Sequence, residues 1–323
     1  MVKLGQLLQL VIGRANNQGP SGIAIGRSAG ENGQDWDAIA IGRYAGEDTQ
    51  SEETIAIGYY AGRTDQRYHS IAIGAETGRY DQGYAALAIG RTAGYKDQGT
   101  NAIAFGSRSG EYYQESQAIS MGKYAGQSRQ GYASIAIGYE AGRGYDPEYP
   151  SDDPENPAYQ ADEAIAIGRE AGNSYQRFHA IAIGAEAGNY QQNYSSIAIG
   201  RTAGYSNQGT NAIAIGSRAG ETNQSIHGIA IGKYAGQTSQ GEYSIAIGYN
   251  SANSSQYDNS IVLNATGSSI NPAHPDSLTI TPIRTVDSAN TEFADFTYGL
   301  FYNPTTGEIA KISVADMITK LTP

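Results

Sequence analysis

The sequence predicts an all-β protein, a parallel β-solenoid (β-roll) of 16-residue coils, and three observations support this. The segment Ile-Ala-Ile-Gly or a close variant recurs every 16 residues apart from one longer step, Ala-Gly or a close variant follows three residues after the motif glycine, and a glutamine usually follows at eight residues. A fixed short period is typical of solenoids, and a helical repeat needs about 33 residues or more. The motif glycines are Gly26, Gly42, Gly58, Gly74, Gly90, Gly106, Gly122, Gly138, Gly168, Gly184, Gly200, Gly216, Gly232 and Gly248.

The alternation within the motif predicts two different strand faces. Ile135 and Ile137 share one face and Ala136 lies on the other, because side chains alternate along a strand. We expect the isoleucines to fill a narrow core and the small residue, which is Ser120 in one coil, to face outward. A continuous strip of small residues then predicts a homo-oligomer interface; the alternative is a tight corner inside the monomer. The residues predicted to lie in this interface are Ala136, Ala166, Ala182 and Ala198.

The glycine and glutamine columns predict the turns. The motif glycines are expected at sharp turns where φ is positive or a side chain would clash. The glutamines, Gln34 to Gln130 and Gln176 to Gln256, are expected to stack as a ladder of side-chain amides. A shared ligand groove is the alternative for this column.

Composition excludes several classes of protein. The chain has 323 residues, a net charge of -11 and no cysteine. Nucleic-acid binders are basic, so that class is set aside, and disulfides and thiolate metal sites are excluded. No apolar run reaches 18 residues, so no membrane span is expected. The duplicated His69 and His179 are expected to be surface residues, and no catalytic, cofactor or metal site is predicted.

Breaks in the repeat predict the domain organisation. We expect an N-terminal cap over residues 1–20, repeats over 21–264 with an acidic, proline-rich insertion loop at 144–157, and a C-terminal cap or assembly region at 265–323. Asn264 takes the place of a motif glycine, as asparagine tolerates positive φ. Residues 59–142 recur as 169–252, which suits a fibre. Strands are predicted at 277–283, 298–302 and 309–314, with a turn at 303–308 and a short helix at 316–321.

The residues after each motif glycine vary and are often aromatic or basic. Tyrosine accounts for 25 of the aromatic residues, and exposed tyrosine and arginine can stack on sugars or on proteins. Tyr44, Tyr60, Tyr124 and Tyr234 are therefore candidate surface-binding residues. The alternative is that they coat the coil and shield its backbone edges.

The Ser-Ile-Ala-Ile-Gly-x-x-Ala-Gly pattern over residues 21–264 resembles the YadA-like heads of trimeric autotransporter adhesins. The resemblance implies left-handed parallel β-rolls, three of them packed around a common axis, and a surface role in attachment. In that family an Asn-Ser-Val-Ala-Ile-Gly motif is associated with binding of matrix proteins. The nearest matches here, each without the asparagine, are Ser70–Gly74, Ser134–Gly138, Ser196–Gly200 and Ser244–Gly248.

The end of the chain resembles another group of proteins. Residues 259–267 and 302–308 resemble the tails of repeat proteins in large DNA viruses and phage fibres. We therefore expect a non-enzymatic structural fibre at a virion or extracellular surface, forming a homotrimer and contacting capsid proteins or a host glycan or receptor. The alternatives are a bacterial-type cell-surface adhesin and a trimeric tailspike-like enzyme acting on polysaccharides.

Overall fold

The computed structural model describes residues 18–144, 159–283, 298–302 and 309–313, and within them all regular structure is β-strand. Nearly all of the expected N-terminal cap and insertion loop, the turn at 303–308 and the helix at 316–321 lie outside the described residues. The parallel β-solenoid predicted from the repeat is confirmed.

The motif strands stack in sequence order into one 16-stranded parallel sheet, called here the isoleucine sheet. Each residue pairs with its equivalent in the next coil, as Ile119 pairs with Ile135. The strands are Ile23–Ile25, Ile39–Ile41, Ile55–Ile57, Ile71–Ile73, Leu87–Ile89, Ile103–Phe105, Ile119–Met121, Ile135–Ile137, Ile165–Ile167, Ile181–Ile183, Ile197–Ile199, Ile213–Ile215, Ile229–Ile231, Ile245–Ile247, Ile261–Asn264 and Leu278–Thr281.

A second set of parallel strands, each ending in the repeated glutamine, forms the opposite wall and is called the glutamine sheet. It has a seven-stranded part and a six-stranded part. The strands are Asn32–Gln34, Asp48–Gln50, Thr64–Gln66, Tyr80–Gln82, Lys96–Gln98, Tyr112–Gln114, Ser128–Gln130, Ser174–Gln176, Tyr190–Gln192, Ser206–Gln208, Thr222–Gln224, Thr238–Gln240 and Ser254–Gln256.

Stacking continues across the insertion. Ile135 pairs directly with Ile165, 30 residues later in the chain. On the other wall Gln160 bridges Gln130 and Gln176. The insertion therefore interrupts the glutamine sheet, between Gly144 and Gln160, and the register of the coils is unchanged across it, as the sequence predicts.

The core consists of alanine and glutamine, and here the expectation from the sequence was wrong. The side chains of Ala136, Ala166, Ala182 and Ala198 have no exposed surface within a single chain. The flanking isoleucines instead point outward and are half-buried or exposed. An outer strip of these alanines therefore does not exist, and they cannot form the predicted interface.

The reason is the thickness of the coil. A Cβ placed on Gly142 would lie 3.2 Å from the Ala136 Cβ and 2.5 Å from Oε1 of Gln160. The interior is thus one small residue deep, and the long glutamine side chains take up the remaining volume. Isoleucine at position 136 would overfill such a close-packed interior.

The glutamines form the amide ladder that the sequence predicts. They are the largest fully buried side chains among the described residues. Nε2 of Gln114 donates to the carbonyl of Ile103 at 2.9 Å and to Oε1 of Gln130 at 3.0 Å. An amide of this kind joins both walls of its own coil to the next coil. The ladder is interrupted at Gln50, Gln176 and Gln208, whose Oε1 atoms accept no hydrogen bond. The groove alternative is excluded, because a buried column offers no surface to a ligand.

The fourteen motif glycines occupy the turn after the strand, with φ between 115° and 135°. A Cβ on Gly138 would lie 2.5 Å from the carbonyl oxygen of Gly168 in the next coil. Both the backbone conformation and the close approach of the coils therefore require glycine here. Asn264, in the equivalent place, is not a positive-φ residue; it ends its strand, and its Nδ2 donates to the carbonyls of Tyr249 and Ser268.

The chain divides into two compact units, and the second begins at Pro282. In the first, Leu278–Thr281 adds a last parallel strand to the isoleucine sheet, so that sheet continues past residue 264. In the second, Tyr298–Tyr302 and Ile309–Ser313 form an antiparallel pair. These are the three strands that the sequence predicts beyond residue 264.

Candidate binding surfaces

The four tyrosines predicted as binding residues are half-buried, because cationic side chains lie over their rings. The Arg79 guanidinium lies 4.4 Å from the ring centroid of Tyr60, and the Lys123 ammonium lies 4.8 Å from that of Tyr124. Tyr44 and Tyr234 are covered in the same way by Arg43 and Lys233. The geometry agrees with the coating alternative, since the rings already have partners within the chain.

Tyrosine rings in this covered layer also stack between neighbouring coils. The rings of Tyr44 and Tyr60 are 4.8 Å apart and nearly parallel, at 8°. Both residues have positive φ, with values of 59° and 55°, which directs each side chain onto its neighbour in the next coil. A hydrogen bond with Tyr59 and the loss of hydration raise the pKa of Tyr60. The phenol of Tyr60 therefore stays protonated at neutral pH.

A second aromatic column, at the turn that leads into each motif strand, was missed by the sequence analysis. Tyr68 and Tyr84 are 45% and 46% exposed, and Phe178 stacks on Tyr194 at 5.9 Å and 3°. The signal was a bulky residue ten positions after many of the motif glycines. The exposed aromatic members are Trp36, Tyr68, Tyr84, Tyr132, Phe178 and Tyr194.

The two duplicated histidines lie in the same turns. Nδ1 of His69 is 3.0 Å from a carboxylate oxygen of Glu53, and Nε2 of His179 is 3.7 Å from one of Glu163. All four side chains are well exposed. Exposed pairs of this kind contribute little to stability, and no group of three or more potential metal ligands occurs in the described part of the chain.

A cavity of about 740 Å³ lies beside the glutamine sheet. Its lining includes Asp97, Tyr113, Glu115, Arg129 and Asp162. Burial, with a contribution from the like charge of Asp81, raises the pKa of Asp97. The lining mixes both charges with an aromatic ring, and this arrangement does not distinguish one class of ligand.

The outer face of the isoleucine sheet is an extended apolar surface. Ile183, Ile199, Ile215 and Ile231 are each 36% exposed, and Phe105 is 49% exposed. Three residues of width and sixteen strands of length give about 10 Å by about 70 Å, or roughly 700 Å². Soluble monomers rarely expose contiguous apolar patches larger than a few hundred Å². We call this surface the isoleucine strip.

Comparison with known proteins supports the family indicated by the repeat. The family model of the YadA head domain repeat matches in two copies, with residues 238–251 as the matched segment. No curated protein and no solved structure matches the chain. Among the described residues, no helix is long and apolar enough to cross a membrane. The repeat, the matched segment and the parallel coil together support a YadA-like head.

Proposed function

We propose that this chain is the head of a homotrimeric surface adhesin, held together along the isoleucine strip. The observation that carries the proposal is the strip itself, which is continuous over the whole sheet while the coil interior is already full. A YadA-like head points to the same adhesin-like surface role. Association with a virion and contact with capsid proteins stay predictions from the tail resemblance alone.

Size favours the proposal. A stable protein interface buries about 800 Å² on each partner, and the isoleucine strip offers roughly 700 Å² before any flanking residue is counted. Three strips facing one axis would remove nearly all of this surface from water. At about 25 cal/mol per Å², burial on this scale provides a strong driving force for association.

Attachment would use the surfaces that remain outside such a trimer. The glutamine sheet and the cavity beside Asp97 face away from the isoleucine strip and are free to meet a host protein or glycan. The four family-like segments that begin at Ser70, Ser134, Ser196 and Ser244 lack the preceding asparagine, so the matrix protein of the family is not carried over. Binding of the purified protein to arrays of matrix proteins and glycans would identify the class of ligand.

The mass in solution tests the assembly. Light scattering of the purified chain should give three times 34.1 kDa. Ile199→Asp, Ile215→Asp and Ile231→Asp together should reduce the mass to that of one chain, because carboxylates would have to be buried at the axis.

A matched control places the same charges in the same coils on the other sheet. Asn207, Asn223 and Ser239 are exposed, and their column carries aspartate at Asp65 and Asp81. Changing these three to aspartate should leave the trimer intact. A single-chain mass for the unsubstituted protein would refute the proposal.

A further inference from the structure

The two ends of each motif strand flank the isoleucine strip and differ in character. The residue directly after the motif glycine is called the exit residue, and the residues six and five before that glycine are called the entry pair. For Gly106 these are Ser107 on one side and Thr100 with Asn101 on the other. The strand Ile103–Phe105 and a turn at either end separate them, which corresponds to roughly 13–20 Å. Within one chain they are therefore out of contact.

Despite that distance, the two ends match in charge and size. Taken coil by coil, the exit residue and its entry pair are Arg27 with Pro20 and Ser21, Arg43 with Trp36 and Asp37, Tyr59 with Glu52 and Glu53, Ala75 with Tyr68 and His69, Arg91 with Tyr84 and Ala85, Ser107 with Thr100 and Asn101, Lys123 with Ser116 and Gln117, Tyr139 with Tyr132 and Ala133, Arg169 with Asp162 and Glu163, Ala185 with Phe178 and His179, Arg201 with Tyr194 and Ser195, Ser217 with Thr210 and Asn211, Lys233 with Ile226 and His227, and Tyr249 with Glu242 and Tyr243.

Three regularities stand out. No exit residue is acidic, and acidic entry pairs stand opposite arginine or tyrosine. The small Ala75 and Ala185 stand opposite two bulky pairs. The duplicated block adds one informative change: Tyr59 corresponds to Arg169, and both stand opposite an acidic pair. Opposite charges and arginine with aromatic rings attract when they meet, so these ends are suited to contact each other.

Three-fold symmetry supplies that contact. When three isoleucine sheets face one axis, their strands follow the sides of a triangle, and a rotation brings the exit end of one copy to the entry end of the next. A side of about 13–20 Å puts each sheet about 4–6 Å from the axis, close to half of the 10 Å by which packed sheets are separated. Isoleucine side chains fill such a gap.

We propose, resting on the proposed homotrimer, that its corners pair each exit residue with the entry pair of the same coil in the neighbouring copy. The isoleucine columns are almost uniform along the solenoid, so apolar contact alone allows one copy to slide against another by whole coils. The corner pairs differ from coil to coil. They therefore fix three parallel chains in register, without a stagger.

The chain has no cysteine, so a disulfide can test this arrangement directly. Thr100 and Ser107 are half-buried, and neither has positive φ, so cysteine is compatible with both positions. Thr100→Cys with Ser107→Cys should give covalent trimers on oxidation or with a short bis-maleimide, seen on a non-reducing gel. Within one chain the pair is too far apart to be joined, since a disulfide requires Cα atoms within about 7 Å.

The duplication provides a matched control. Thr210 and Ser217 repeat Thr100 and Ser107 in another part of the solenoid. Thr210→Cys with Ser217→Cys should also give trimers, whereas Thr210→Cys with Ser107→Cys and each single variant should give monomers on the gel. Linkage in the mixed pair would indicate a stagger, and linkage in a single variant would indicate a two-fold contact; either overturns the corner pairing.

The light-scattering mass separates this inference from the proposal on which it rests. A three-chain mass without linkage in the two matched pairs would overturn the corner pairing and leave the trimer standing. A one-chain mass would remove both.

Discussion

Gln208 donates its side-chain amide to Oε1 of Gln224 in the next coil at 3.1 Å, and neither side chain is accessible to water. The same nitrogen donates to the carbonyls of Ile197 at 2.8 Å and Ala212 at 3.3 Å. One amide therefore donates to the isoleucine sheet of its own coil, to the turn before the next motif strand and to the next glutamine of the ladder. Polar groups so placed are expensive to leave without a partner.

Gln208→Leu should destabilise the solenoid by about 2–4 kcal/mol, because it leaves the buried Oε1 of Gln224 without its donor and removes one donor from the carbonyls of Ile197 and Ala212. Thermal unfolding followed by circular dichroism measures the effect as a lower Tm. The control is Asn207→Ser, on the exposed neighbouring position where Ser239 occurs naturally, and its Tm should stay near that of the unsubstituted protein. Equal Tm values for both variants would contradict a structural role for the ladder.

Adjacent residues on the two faces of one strand should respond in opposite ways to a carboxylate. Ala182→Glu places a charge in a filled interior and should prevent folding of the coil, since an unpaired buried charge is very unfavourable. Ile183→Asp places its charge on the outer strip and should weaken assembly while the coil stays folded. Circular dichroism and light scattering distinguish these results, and a folded, dissociated Ala182→Glu protein would contradict the inward orientation.

The size limit of the core can be tested without charge. Ala198→Val should lower stability by about 1–3 kcal/mol through overpacking. Ala198→Ser should be tolerated much better, because Ser120 already occupies the equivalent place and donates to Gln130 Oε1. Comparison of the two Tm values tests this limit. A valine variant as stable as the serine variant would show that the interior has spare volume.

Close approach of successive coils makes a motif glycine irreplaceable. A Cβ on Gly200 would meet the carbonyl carbon of Gly216 at 2.7 Å, and its φ is 129°. Gly200→Ala should therefore lower stability by at least about 1–3 kcal/mol. Gly267→Ala is the matched control, since a Cβ there meets nothing within 4 Å, and its unfolding temperature should be unchanged. An unchanged unfolding temperature for Gly200→Ala would contradict this prediction, because it would show that neighbouring coils can move apart to make room for a Cβ.

Asp97 should produce a small pH dependence. Burial raises its pKa in the folded state, so its contribution to stability is complete below the ordinary pKa of about 4 and is lost as the pH rises through the higher folded value. Asp97→Asn should therefore raise Tm by about 1 °C or less at neutral pH. The difference should vanish near pH 4. A variant that is less stable at neutral pH would contradict this direction.

The period of the repeat was sufficient to predict the coil, its stacking across the insertion, and the glutamine ladder. It could not decide which face of Ile-Ala-Ile is inside, because alternation distinguishes two faces without orienting them. Orientation depends on volume: Gln160 fills the space beside Ala136 and leaves none for isoleucine. The sequence does contain this information, since a buried column of long amides and a core of large side chains cannot share a coil one residue deep.

The binding surfaces were harder to predict for a related reason. Tyr60 is shielded because Arg79, from the next coil, lies over its ring, and side-chain conformation of this kind is not encoded in a period. The exposed column of Tyr68 and Tyr84 was visible in the sequence as a recurring bulky residue. A recurring bulky residue does not by itself indicate exposure, because the same period also places covered rings such as that of Tyr60.

The bonding of each coil only to its neighbours also bears on how the protein forms. Partners such as Ile119 and Ile135 lie 16 residues apart, so a coil can close as soon as the one before it exists, and no distant segment is required. Folding can then advance from one end during synthesis at the ribosome, with each finished coil serving as the template for the next. Loss of structure on heating should begin at the two ends and proceed inward.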